Sequence, residues 1–266
     1  MTAARLIATD LDGTLLRPDG TLSARTLAAL LGCARAGIEV VFVTARPPRV
    51  TRHLVGQAAC AMTAICVNGA MLYDFAADAG TYVHEFTPAV ARRIVDELRP
   101  LLPDAGYALE TGEQVWFGSA YRVGLVGARA RFLAEPWDLV WGKVERAVKV
   151  LARSPSRSAD EMLAAVSGRL SIPAEVSHSG GRGLLEISPA GATKASTLAW
   201  LCERRGIGAA EVVAFGDMPN DLPMLRWAGT SYAMANAHPQ VLAQVGRVTL
   251  SNERDGVAVV LESLLE

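Results

Sequence analysis

Along both ends of the chain, short apolar runs alternate with longer segments in which apolar residues recur at helical spacing. Residues 5–9 end an apolar run and predict a first buried strand. SARTLAALLGCARAG follows as a helix, with Ser23 to cap its start and Gly37 at its end. IEVVFVTAR then predicts a second strand, PPRVTRHLVGQAAC a helix opened by prolines, and TAICVNGAMLY a third strand. The same grammar returns near the C-terminus. A helix over 193–205 leads into the strand EVVAFGD, a helix over 222–228 and a short strand in TSYAMANA.

Strand, helix, strand repeats of this kind predict an α/β fold, a doubly wound parallel sheet covered on both faces. Right-handed crossovers would bring the strand ends after Thr9, Val43 and Phe215 to one edge, where such sheets bind ligands. Between the two halves, over 81–186, the pattern changes. TYVHEF, YALETG, QVWFGSAY and KVLARS read as strands, and VARRIVDELRPLL and SADEMLAAVSGRL as helices. This mixture predicts an inserted α+β domain with its own small core. The expected division is a core of residues 1–81 and 188–266 around an insertion of residues 82–187, with SPAGAT as the return linker.

Composition agrees with this picture and removes several alternatives. At 266 residues, 51% hydrophobic and 20% charged, the chain is long and apolar enough for two packed domains and too apolar for disorder. The 26 Lys and Arg nearly cancel the 27 Asp and Glu, so no net field favours nucleic acid or an anionic membrane. Cys33, Cys60, Cys66 and Cys202 lack metal or redox spacing and read as buried thiols. The four histidines are scattered and read as structural. No stretch has the roughly 20 apolar residues of a membrane helix, and no signal-type segment opens the chain. The expected location is cytoplasmic.

Candidate chemistry begins with IATDLDGTLL. Asp10 and Asp12 lie two apart, and on a continuing strand their like charges would share a side and repel. A hard divalent cation would resolve the repulsion; an ordinary strand-end turn is the alternative, since Asp and Gly are common turn residues. GDMPND adds Asp217 and Asp221 at the same expected sheet edge, as ligands or as helix caps. Thr44, after the second strand, and Lys194, opening the later helix, could bind phosphate oxygens. Taken singly, each is also an ordinary cap or surface residue.

In this order, DLDGTLL, VTAR, GATKAST and GDMPNDLPML resemble the four motifs of the haloacid dehalogenase superfamily. VNGA, AMANA and NERDGVA are similar to the Cof-type hydrolases within it, which carry a C2-type inserted cap. The resemblance implies a Mg2+-dependent phosphatase acting on a small soluble phosphate ester, such as a sugar phosphate. Asp10 would be the nucleophile that forms an aspartyl phosphate, and Asp12 the general acid and base. Mg2+ would be held by Asp10, the backbone of Asp12 and Asp217, with Asp221 binding directly or through the metal's waters. Lys194 would restrain Asp10; Thr44 and Ala45 would meet the phosphate, and Asn220 the phosphate or a substrate hydroxyl. Ala45 stands where many relatives have glycine, and Met218 and Pro219 lie between the acids of the fourth motif.

In the insertion, Glu186 reads either as a substrate-facing residue or as a polar strand-edge residue. Arg182 reads either as a contact for an anionic substrate tail or as a solvated loop arginine. A phosphosugar mutase or a specialised sugar-phosphate phosphatase using the same aspartyl phosphate is the alternative activity, and a non-catalytic phosphate-binding regulator the alternative class.

Overall fold

The computed structural model describes residues 4–58, 60, 62–118, 120–121, 132–134, 140–180 and 183–266. The chain divides into two compact units, one of Met1–Arg46, Thr51–Thr81 and Thr193–Glu266, the other of Pro47–Val50 and Tyr82–Ala192.

The first unit is built on a seven-stranded sheet. In chain order its strands are β1 (Leu6–Thr9), β2 (Glu39–Val43), β3 (Thr63–Cys66), β4 (Met71–Asp74), β5 (Ala79–Tyr82), β12 (Val212–Gly216) and β13 (Thr230–Ala233). Their spatial order is β13-β12-β1-β2-β3-β4-β5. The strands from β13 to β3 are parallel, and β4 pairs antiparallel with β3. The central β1 is completely buried because both of its faces are covered. Leu6 and Ala8 pack with Val41, Val43 and Ile65 against Leu198 and Leu201 of a helix over Lys194–Arg205. Ile7 and Phe42 alternate with them toward the opposite face and are equally buried.

Sequence and structure part company at TAICVNGAMLY, expected as one strand. Val67, Asn68 and Gly69 all take positive φ, at 54°, 57° and 101°. The 3-10 turn they form reverses the chain, so β3 and β4 pair antiparallel. TYVHEF also departs from expectation: β5 lies in the first sheet, and Phe86 makes only an isolated bridge to Ala147.

The second unit holds a six-stranded sheet, in the order β10 (Ala174–Ser177), β11 (Leu184–Pro189), β9 (Lys149–Arg153), β6 (Gly106–Glu110), β7 (Val115–Phe117) and β8 (Phe132–Ala134). Helices Pro88–Leu101 and Ala159–Val166 supply Ile94, Leu98 and Met162, which pack against Leu109, Val150, Leu185 and Ile187 of the sheet. The QVWFGSAY strand is confined to Val115–Phe117, and the unit continues to Ala192 because β11 runs through to Pro189.

Candidate active site

Three strand ends of the first unit carry the site. The chain leaves β1 at Asp10, whose amide donates to the Phe215 carbonyl of β12 at 3.1 Å. It then turns tightly: the amides of Leu15 and Leu16 both return to the Leu11 carbonyl, at 3.0 and 2.8 Å. Leu11, Leu15 and Leu16 are buried, which anchors the loop from beneath. Gly13 sits at φ 79° against Asp217, and a Cβ there would lie 2.2 Å from Oδ2 of that carboxylate. Only glycine satisfies both the left-handed backbone and the close approach.

Because β1 stops at Thr9, the two aspartates of DLD do not share a side. Asp10 is buried, whereas the Asp12 side chain is 51% exposed and forms a two-pronged ion pair with Arg46. Arg46 Nε lies 2.7 Å from Asp12 Oδ2, and its NH2 group meets Oδ1. Asp12 therefore adds less to the charge felt by Asp10 than the carboxylates of the β12 loop do. Crowding of carboxylates arises instead between Asp10 and residues of the β12 loop. Asp12 and Arg46 line a cleft of about 620 Å³ with Gly13, Arg17, Asn236 and Asn252.

Lys194 opens its helix immediately after Thr193, whose hydroxyl accepts from the Ser196 amide in a capping box. Its Nζ donates to Asp10 Oδ1 at 2.6 Å and to Asp221 Oδ1 at 2.5 Å, and the lysine is 1% exposed. Asp221 Oδ2 accepts the amides of Asp217 and Met218, at 3.0 and 2.9 Å. One carboxylate thus fixes both the lysine and the GDMPND loop. The Thr14 hydroxyl donates to Asp217 Oδ1 at 2.6 Å. Asn220, 8% exposed, donates from Nδ2 to Asn68 Oδ1 at 3.1 Å.

Charge is unbalanced in this pocket. Burial pushes Asp217 up to about 7, and Asp221 beside it adds to the rise, against the opposing hydrogen bond from Thr14. Burial also raises Asp10 well above its ordinary 3.8; Lys194 opposes the rise, while Asp221, Asp217 and Asp12 reinforce it. For Lys194, burial favours the neutral amine, but Asp10 and Asp221 outweigh it and keep the ammonium charged. One lysine does not neutralise three buried carboxylates. Oxygen atoms of Asp10, Asp217 and Asp221 lie within 4.8 Å of one another, so an all-oxygen donor set and an excess of negative charge coincide. Both properties fit a hard divalent cation.

Thr44 is fully buried at the end of β2. Its amide donates to Ile65 at 2.8 Å, and its hydroxyl oxygen accepts from the Arg46 amide at 3.1 Å. Ala45 lies between them in the same turn. The first unit therefore brings together Asp10, Asp12, Thr44, Ala45, Lys194, Asp217, Asn220 and Asp221 in the loops of three neighbouring strands and one helix start. Glu186 belongs to the second unit, on the interior strand β11, so it is not at a sheet edge. It is buried, with Lys149 Nζ at 3.4 Å and the Ser179 hydroxyl at 3.1 Å. Arg182 lies outside the described residues. Sequence reasoning missed Thr14, Arg46 and Asn68. Each stands inside a quoted motif, DLDGTLL, VTAR or VNGA, but its partner is distant in sequence and no local pattern announces the pair.

A doubly wound α/β core that presents buried carboxylates and one lysine at its strand ends, with an α+β insertion, defines a class of hydrolase. The chain belongs to the haloacid dehalogenase-like hydrolases, whose family model matches residues 7–261. It is 28% identical over 251 residues to the HMP-PP phosphatase of Citrobacter koseri, covering 93% of this chain and 90% of that one. Among solved structures, a haloacid dehalogenase-like hydrolase from B. subtilis has a TM-score of 0.84 at 25% identity, covering 97% of this chain and 99% of the other. A subclass IIB sugar phosphatase of the superfamily shares the fold, with a TM-score of 0.80 at 17% identity and 98% coverage of both chains.

Proposed function

We propose that this enzyme is a Mg2+-dependent phosphatase that hydrolyses a small phosphomonoester through an aspartyl phosphate on Asp10. The observation that carries this reading is the Lys194–Asp10 contact within a cluster of buried carboxylates. A carboxylate that must attack an anionic phosphate needs a fixed orientation and nearby positive charge, and Lys194 contributes to both. Mg2+, held by Asp10, Asp217 and the backbone carbonyl of Asp12, would supply the remaining charge that offsets the phosphate dianion.

The other side chains divide the work. An Asp10 carboxylate oxygen forms a bond to phosphorus as the bond from phosphorus to the ester oxygen breaks. Asp12 gives a proton to that leaving oxygen, then takes one from the water that attacks the aspartyl phosphate and releases inorganic phosphate. Asp12 sits at the cleft, half exposed, where a leaving group has access. The Thr44 hydroxyl, whose oxygen already accepts from Arg46, keeps its proton to donate to a phosphate oxygen. The Ala45 amide is assigned to the same phosphate, and Asn220 to the phosphate or to a hydroxyl of the ester. Asp221 has both oxygens engaged by Lys194 and backbone amides, so we assign it to support the metal site.

The inserted unit is assigned the choice of leaving group, with Glu186 and Arg182 as its candidate substrate residues. A sugar phosphate is the preferred substrate class. The HMP-PP named for the C. koseri relative is the second, favoured by that relative's coverage of nearly the whole chain. Among the described residues no helix is long and apolar enough to cross a membrane, and the four cysteines are not joined in disulfides, which suits the cytoplasm. The test is a hydrolysis screen over sugar phosphates, nucleotides and HMP-PP with and without Mg2+. Release of inorganic phosphate that requires the metal supports the reading. An isomeric phosphosugar as product would assign a mutase, and saturable binding without turnover would assign a regulator.

A further inference from the structure

Val67, Asn68 and Gly69 form the most strained backbone next to the site. Two of the four non-glycine residues at positive φ among the described residues are here, and one of them is a β-branched valine. The segment is buried on all sides: Val67 is fully buried and Asn68 is 4% exposed. Such a conformation persists only where the surroundings over-determine it, and here they do. The Val67 amide donates to the Arg46 carbonyl at 3.1 Å and the Asn68 amide to the Thr44 carbonyl at 3.0 Å. The Thr197 hydroxyl donates to the Gly69 carbonyl at 2.6 Å. A Cβ on Gly69 would fall 2.1 Å from the carbonyl oxygen of Thr193, the cap of the Lys194 helix. The turn is thus fastened to the Thr44–Arg46 loop on one side and to the Lys194 helix on the other.

The strained turn aims Asn68 at the GDMPND loop. Its Oδ1 receives Asn220 Nδ2 at 3.1 Å, across 152 positions of sequence. That contact leaves Asn220 Oδ1 buried with no hydrogen-bonding partner among the described residues. A buried amide oxygen in that position is costly unless a ligand brings a donor to it. Resting on the phosphatase reading, we infer that Asn68 is a positioning residue. Its carboxamide, presented by the left-handed turn, fixes the rotation of Asn220 so that Asn220 Oδ1 accepts a hydrogen bond from a hydroxyl or amine group of the bound ester.

Asn68→Gly separates this role from a structural one, because glycine takes φ 57° without strain and removes only the side chain. The melting temperature of that variant should equal or exceed the wild type's, while kcat/KM falls about tenfold, the loss of one useful hydrogen bond. The fall should lie mainly in KM. Asn220→Ala should show a similar or larger fall, and adding Asn68→Gly to it should cost nothing more, since the first residue acts through the second. Three outcomes overturn the inference: wild-type kcat/KM in Asn68→Gly, an equal further loss in the Asn220→Ala background, or a lowered melting temperature in Asn68→Gly. If the wild type hydrolyses no ester, the phosphatase reading fails. The same variants are then compared for binding of the screened esters by calorimetry, where Asn68→Gly should weaken binding only when Asn220 is present.

Discussion

Lys194 Nζ bridges two carboxylates from distant parts of the chain, lying 2.6 Å from Asp10 Oδ1 and 2.5 Å from Asp221 Oδ1. All three groups are nearly or wholly buried. Removing the cation leaves the carboxylates facing each other without compensation. Lys194→Met should therefore lower the unfolding free energy of the metal-free protein at pH 8 by about 3–5 kcal/mol, the usual consequence of breaking a buried ion pair. Urea unfolding in EDTA measures this. Phosphatase activity should fall at least about a hundredfold, through loss of both orientation and charge.

Stability of the metal-free protein should also depend on pH. Asp217 titrates near 7 in the fold against an ordinary 3.8, so the folded chain holds a proton that the unfolded chain has released. That contribution is complete below about pH 4 and is lost as the pH rises through 7, with a limiting slope of about 1.4 kcal/mol per pH unit for one proton. Asp10, raised by burial as well, acts in the same direction. Melting temperatures in EDTA should fall between pH 5 and 8, and saturating Mg2+ should abolish most of the fall by taking the proton's place. A flat profile in EDTA would contradict the carboxylate crowding.

Thr14 should matter through Asp217. Its hydroxyl is 2.6 Å from Asp217 Oδ1, and support of this kind to a metal-binding carboxylate is commonly worth tenfold or more in metal affinity. Thr14→Val should raise the Mg2+ concentration for half-maximal activity by about tenfold and weaken Mg2+ binding in calorimetry to the same degree. Thr14→Ser, which keeps the hydroxyl, should restore both.

Arg46 should act on substrate capture more than on folding. Its pair with Asp12 is partly exposed, at 27% and 51% for the two side chains, so Arg46→Ala should change stability by no more than about 1 kcal/mol. Loss of a guanidinium from the cleft should raise KM for a phosphate dianion about tenfold and flatten its dependence on salt. Steady-state kinetics at 20 and 200 mM NaCl compare the two enzymes.

The central parallel strands β1, β2 and β12 were legible because each is a nearly continuous apolar run followed by a polar or glycine-containing loop, and because burial on both faces leaves that run unbroken. Asp10, Thr44, Lys194 and Asp217 were legible because they stand at the ends of those runs or at a helix start. The reversal at Val67–Gly69 was hidden, since nothing in ICVNGAML separates a valine at φ 54° from one in a strand. Its conformation is imposed by Thr44, Arg46, Thr193 and Thr197, all distant in sequence. The outward turn of Asp12 was hidden for a similar reason. β1 ends at Thr9, as its apolar run predicts, and the tight turn that follows, closed on the Leu11 carbonyl, decides where the Asp12 side chain points.

Whether Asp10 attacks phosphorus is decided by the Asp10→Asn variant. The substitution keeps the shape of the side chain and removes its nucleophilic charge. With Mg2+ and the best ester of the screen, hydrolysis should fall by about four orders of magnitude or more while the variant still melts cooperatively. Mg2+-dependent hydrolysis at the wild-type rate in a folded Asp10→Asn enzyme would rule out Asp10 as the nucleophile.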